Sequence, residues 1–182
     1  MVGKKIDGVE VSNAVKNILK NAVEKLKSEN VIPCLATILV GDNPASATYV
    51  KNKHKACEVV GIKTKDYKLS AEITQEQLND VIDKLNRDKE VHGILVQLPL
   101  PNQLDEFATV SSIFPIKDVD GLTPQNMGLL SMGKSILKPC TPSGIMEMFY
   151  YYKIGIEGKN VVIINRSNLI GKPLYNLLLQ NN

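Results

Sequence analysis

Two short apolar runs limit what this chain can fold into: LATILVG at residues 35–41 and GILVQLPLP at residues 93–101, each flanked by segments of helical character. An apolar run of this length, closed by glycine or proline, reads as a buried strand. Between the two lie turn chemistry at Asp42-Asn43-Pro44 and a helix that Pro44 suits at its first turn and Gly61 ends. A strand over residues 64–69 follows, then a helix opened by the capping-box pair Thr74 and Gln77 and running to about Leu85. Upstream, Val11, Ile18, Leu19, Ala22 and Leu26 recur at helical spacing, which predicts an amphipathic helix from about Val9 to Glu29. Helix and strand alternate, so the expected fold is α/β, with a parallel sheet and helices on both faces. Ligands of such sheets lie beyond the carboxyl ends of the strands. Asp42 and Gln97 fall at such ends, and the helix turns carrying Ser46 and Tyr49 are expected to face the crevice.

Composition excludes several classes. The 182 residues suffice for one domain, or one domain and part of another. The formal net charge of +3 is too small and too evenly spread to argue for a nucleic-acid partner. No apolar run is long enough to cross a bilayer, and MVGKKIDGVEV lacks the apolar core of a signal peptide, so no membrane partner is expected. Cys34, Cys57 and Cys140 are odd in number and far apart, which fits a reducing cytoplasm rather than a disulfide framework. His54 and His92 make no metal-ligand spacing with them, and no metal is expected.

Further along, KDVDGL and KPCTPSG are loops rich in turn formers, and Thr141 as N-cap with Pro142 behind it predicts a helix to about Tyr152. After Gly155 and Gly158 a new unit opens: a strand over Val161 to Ile164, a polar loop over 165–172, and a helix from Pro173. A loop of this kind presents backbone N–H groups and a helix N-terminus to a phosphate. It is not a P-loop, because proline follows Gly171-Lys172, and only Gly171 occupies a position of the dinucleotide glycine fingerprint. Asn165 stands where the first glycine belongs, and asparagine tolerates left-handed backbone. Arg166 and Ser167 offer a forked donor and a hydroxyl suited to a 2′-phosphate. The same residues also describe an ordinary βα loop with a surface arginine, and the local pattern does not choose.

TYVKNKHKAC places Tyr49 and Lys53 one helical turn apart. Three readings follow: a tyrosine acid beside a lysine, a lysine base beside a tyrosine, or the wet face of a basic helix. Lys53 shares its stripe with Tyr49 and Cys57, while Lys51 and His54 point elsewhere. A lysine among apolar neighbours loses solvation and works as a base near neutral pH. Tyr-x-x-x-Lys is also the pair of short-chain dehydrogenases, whose nucleotide loop precedes it. Here the loop at Asn165 follows it, which sets a short-chain NAD(P) reductase behind the other readings. Asp118 and Asp120 flank Val119 before a glycine, and such aspartates ordinarily make turns. A functional aspartate here would accept paired hydrogen bonds from an amino-pyrimidine edge.

Taken together, KKIDG, NPASATYVKNKHKACEVVGI, VHGILVQLPLP, KDVDGLTPQNMG, KPCTPSGI and NRSNLIGKP resemble one family over essentially the whole chain. It is the bifunctional methylenetetrahydrofolate dehydrogenase/methenyltetrahydrofolate cyclohydrolase family of the FolD type. The resemblance implies a folate-site domain over residues 1–140 and the opening of a Rossmann-type NADP domain over 141–182, with the site in the cleft between. It implies Lys53 as the catalytic lysine, Gln97 bonded to it, Tyr49 packed on the folate, Asp120 on the pterin edge and Ser46 near the same site. Asn165, Arg166 and Ser167 then match the stretch that meets the NADP phosphate, and Thr141 lies near the nicotinamide. The implied activity is NADP-dependent oxidation of 5,10-methylenetetrahydrofolate and hydrolysis of the product to 10-formyltetrahydrofolate in one-carbon metabolism, by a cytoplasmic homodimer. Asn165 replaces the family's glycine, which leaves NADP against NAD open, with Arg166 favouring NADP. The chain stops one helix into the cofactor domain, so a truncated piece is expected. The alternative for such a piece is a folate-binding fragment without turnover.

Overall fold

A computed structural model describes residue 3 and residues 5–181. The chain forms two compact units, Lys16–Val119 and a second built from Met1–Val15 with Asp120–Asn182.

The first unit is a parallel sheet of three strands in the order β2-β1-β3, with β1 at Cys34–Val40, β2 at Lys63–Leu69 and β3 at Gly93–Val96. The register pairs Ile38 with Tyr67 on one side and with Val96 on the other. β1 is central, which is why its apolar run is nearly continuous. β2 is an edge strand, and its lysines keep that edge wet. Ala36, Ile38, Val40, Ile94 and Val96 pack with Leu78, Ile82 and Leu85 of α3, Gln75–Arg87. α3 opens with the expected capping box, Thr74 Oγ1 accepting from Gln77 N at 3.2 Å and Gln77 Oε1 from Thr74 N at 3.0 Å. α2, Pro44–Val60, begins at the expected proline and ends at Gly61 in the left-handed conformation. α4, Glu106–Ser111, was not foreseen; six residues are too few for a period to register.

The long helix α1, Gly8–Ser28, lies within a residue of the expected bounds at each end, but its expected face does not hold. Val11 and Val23 are buried, whereas Ile18, Leu19 and Leu26 are 70%, 43% and 37% exposed. The helix is shared by the two units, its residues up to Val15 grouping with one and the rest with the other. Among the described residues no helix is long and apolar enough to cross a membrane.

In the second unit α5 (Pro124–Ser131), α6 (Cys140–Tyr151) and α7 (Gly171–Leu179) pack Leu130, Met146 and Leu177 together. α5 starts on Thr123, which caps Asn126 N, and Pro124. Thr141 is not the N-cap of α6. The helix starts two residues earlier, at Cys140 behind Pro139, without a side-chain cap, and Pro142 sits within the first turn, where a missing N–H leaves no bond unmade. The strand expected over Val161 to Ile164 is also absent from the described residues. Val161, Val162 and Ile164 are at least half exposed, and without a neighbouring chain segment no ladder forms.

Candidate active site

The first turn of α2 is fixed by Asn43, whose Oδ1 accepts from Ala45 N at 3.0 Å and Ser46 N at 3.1 Å. From there Ser46, Val50 and Val60 turn inward and are buried, while Lys53 is half-buried. Ser46 is thus nine-tenths enclosed rather than facing open space, and Tyr49 is 63% exposed with its ring free to meet a flat ligand. The basic run separates as its periodicity requires. Lys51 and Lys55 face solvent, and His54 reaches β2, with Nε2 2.7 Å from Asp66 Oδ1. Burial, then the charge of Asp66, pushes the Cys57 thiol above its usual range, which makes it a poor nucleophile.

Gln97 follows β3 and continues its ladder by one bond, from its N–H to Ile38 O at 2.9 Å. Its side chain meets Lys53, whose Nζ donates to Gln97 Oε1 at 3.3 Å. The other end of the same amide, Nε2, donates to Leu98 O at 2.7 Å. That second bond fixes which way the amide lies, so an oxygen and not an amino group faces the lysine. An acceptor on that side takes one lysine N–H. When the amine is unprotonated, its lone pair is left directed away from the glutamine.

KDVDG does more than turn. Ile94 N donates to Lys117 O at 2.7 Å and Asp118 bridges Ile94 in parallel, so the segment lies alongside β3. Lys117 Nζ reaches Leu85 O at 3.0 Å and Asp88 O at 2.7 Å, closing the carboxyl end of α3, and burial pushes its pKa below the usual lysine range. Asp120 is half-buried and belongs to the second unit. Its neighbour Gly121 has φ 64°, and a Cβ there would stand 2.8 Å from the Lys138 carbonyl carbon and 3.0 Å from Pro139 N. Only glycine meets both demands, so the backbone beside Asp120 is held in place.

Also in the second unit, the 165–172 loop is closed upon itself. Asn165 Oδ1 accepts from Ser167 N at 2.9 Å and Gly171 N at 3.0 Å. Ser167 Oγ accepts from Ile170 N at 3.0 Å, and Ser167 O from Lys172 N at 3.1 Å. Asn165 does not adopt a positive φ, so it contributes through its side chain and not through left-handed backbone. The amides expected to face a phosphate are therefore turned inward, and Pro173 has none. Arg166 is exposed, and Thr141 is exposed on the first turn of α6. Lys53 and Gln97 are thus brought into contact, Ser46 and Tyr49 share their helix, and Asn165, Arg166 and Ser167 form one loop.

Comparison with known proteins places these residues in a wider setting. Residues 6–120 match the catalytic domain of the tetrahydrofolate dehydrogenase/cyclohydrolase family, and residues 139–182 match its NAD(P)-binding domain. A relative from Nitrosopumilus maritimus, "Bifunctional protein FolD", is 67% identical over all of this chain, which spans 63% of that relative's length. A solved bifunctional FolD methylenetetrahydrofolate dehydrogenase/cyclohydrolase from Campylobacter jejuni has a TM-score of 0.95 at 48% identity, covering 97% of this chain and 63% of that one. The Trypanosoma brucei dehydrogenase-cyclohydrolase, solved with NADP cofactor and inhibitor, also has a TM-score of 0.95, at 36% identity, covering 99% and 62%.

Proposed function

The chain belongs to the tetrahydrofolate dehydrogenase/cyclohydrolase family, and from that premise we propose that it carries the folate-site chemistry of NADP-dependent 5,10-methylenetetrahydrofolate oxidation and 5,10-methenyltetrahydrofolate hydrolysis. The observation that carries the reading is Lys53 held on Gln97 at 3.3 Å, with the glutamine amide itself fixed by Leu98. Residues 1–140 are read as the folate-site domain and 141–182 as the opening of the nucleotide domain, which the two family matches support.

Tyr49 stacks on the folate, Ser46 lines the same pocket, and Asp120 accepts the paired donors of the pterin edge. NADP supplies the hydride acceptor when bound. Arg166 and Ser167, on the loop that Asn165 shapes, hold it, with Thr141 toward the nicotinamide. The loop fits such a group, since Arg166 has no carboxylate partner among the described residues and Ser167 keeps its hydroxyl proton to donate. In hydrolysis, water adds to the cationic methenyl carbon, and unprotonated Lys53 takes a proton from that water. The added hydroxyl then loses its proton as the carbon–oxygen double bond forms, the bond from this carbon to N5 breaks, N5 takes up a proton, and the formyl group stays on N10, with one proton released to solvent overall. Gln97 holds the lysine so that its lone pair faces the water. A cytoplasmic homodimer completes the reading, and three free cysteines suit a reducing compartment.

Hydrolysis of 5,10-methenyltetrahydrofolate, followed by its near-UV absorbance, tests this. The chain accelerates the reaction over buffer, and Lys53→Ala lowers the rate by about 100-fold or more, the range of a lost proton-transfer group. A fully active Lys53→Ala would remove the lysine from the mechanism. An inactive parent chain would overturn the activity assigned to it.

A further inference from the structure

Resting on the nucleotide reading above, we propose that Lys172 is a second phosphate-binding cation, forming with Arg166 a two-armed clamp on a phosphate of the cofactor. Arg166, Lys172, Asn165 and Gly171 line one concavity of about 410 Å³, together with Val161 and Ile163. Helix starts ordinarily bind phosphate through free backbone amides. Here that route is narrowed, because the amides of residues 167, 170, 171 and 172 bond within the loop and residue 173 is proline. The attraction for an anion therefore falls on side chains.

Two cations are at hand. Neither Arg166 nor Lys172 has a carboxylate partner among the described residues. Lys172 Nζ donates to Asn168 Oδ1 at 2.7 Å, a contact that fixes the ammonium at the loop while leaving two of its three N–H donors unused. Two of the loop's side-chain acceptors, Asn165 Oδ1 and Ser167 Oγ, are engaged by its own backbone amides. The concavity thus brings two unpaired cations together, the chemistry that a phosphate group takes. Both the 2′-phosphate and the pyrophosphate of a dinucleotide carry this chemistry.

Titration of the chain with adenosine 2′-monophosphate and with ADP, by calorimetry, tests the clamp and tells the two phosphates apart. Lys172→Met is expected to weaken one of these ligands by about 5- to 10-fold, as the loss of one charge-assisted bond does, and to lower the salt dependence of binding. Lys172→Arg is expected to retain it. Thermal unfolding of each variant is followed alongside, so that a folding defect is not read as lost affinity. Selective loss for the 2′-monophosphate assigns Lys172 to the choice of NADP over NAD, and selective loss for ADP assigns it to the pyrophosphate; either supports the clamp. If Arg166→Met weakens binding and Lys172→Met leaves both ligands untouched, Lys172 has no such role while the nucleotide site stands. If the parent chain binds neither ligand, the clamp and the nucleotide reading fall together.

Discussion

Gln97 uses both ends of one amide, accepting from Lys53 at 3.3 Å and donating to the carbonyl of Leu98 at 2.7 Å. The pairing sets the face that the lysine turns to a substrate. Gln97→Leu removes the acceptor and leaves Lys53 free to rotate, and a fall of about 10- to 100-fold in methenyltetrahydrofolate hydrolysis is expected. Gln97→Glu places a carboxylate where the amide oxygen was, which favours the charged lysine. Hydrolysis by Gln97→Glu should then fall by about 10-fold or more, because a charged lysine accepts no proton. Full activity in Gln97→Glu would remove Lys53 from the role of proton acceptor.

Gly171 is fixed by Asn165, since any side chain at 171 would run into the Asn165 carbonyl. Gly171→Ala is expected to destabilise the second unit by about 1–3 kcal/mol, the range for overpacking a site that cannot relax. Asn165→Ala leaves two amides without their acceptor and is expected to cost about 1 kcal/mol. Chemical denaturation of both variants checks the order.

Lys65 joins β2 to the segment after α3 through Asp88 at 2.8 Å and Glu90 at 3.3 Å. The hydrogen bond with Lys65 lowers the pKa of Asp88, and the bond with Asp88 raises that of Lys65. The Asp88 contribution is complete above the unfolded carboxylate value, about 4, and is lost as pH falls through the lower folded value. The Lys65 contribution is complete below the unfolded lysine value, about 10.4, and is lost as pH rises through the higher folded value. A double-mutant cycle of Lys65→Met and Asp88→Asn should give a small favourable coupling at neutral pH that vanishes in strong acid. Coupling unchanged in acid would rule out the ion pair as its source.

Glu10 on α1 receives two tyrosine hydroxyls, Tyr151 at 2.8 Å and Tyr152 at 2.7 Å. Its hydrogen bond is the main reason the Tyr151 phenol titrates above its usual range. Glu10→Gln removes the charge that opposes the phenolate, so the alkaline phenol transition, read by ultraviolet difference absorbance, should move to lower pH. A transition that stays in place would mean that the carboxylate does not govern it.

Where local chemistry decides, the residues announced the structure. Pro44, Gly61, Thr74 and Gln77 each carry a backbone instruction that needs no distant partner, and the helices begin and end accordingly. The contact of Gln97 with Lys53 was implied by family resemblance, and the parallel register brings strand and helix together to make it. What depended on a second segment was hidden. Val161 to Ile164 has the composition of a strand, yet strand formation needs a neighbour that apolar residues cannot specify. Ile18 and Leu19 keep a helical period, but which face of α1 is covered depends on neighbours that the period does not name. Nor does the residue type announce the inward turn of amides in the 165–172 loop, because the carboxamide oxygen of Asn165 makes it and a left-handed backbone there does not.

The closed loop at Asn165 also bears on how a ligand would be met there. Its hydrogen bonds are satisfied before anything arrives, so little chain entropy remains to be lost on association. Calorimetry of a nucleotide entering it should show a small entropic penalty and nearly constant enthalpy among adenine nucleotides that share the clamped phosphate. A loop that folded around its guest would instead show a large favourable enthalpy opposed by ordering. In this chain the ordering is done in advance by one asparagine side chain, whose oxygen occupies the position at which an incoming acceptor would otherwise have to organise the backbone.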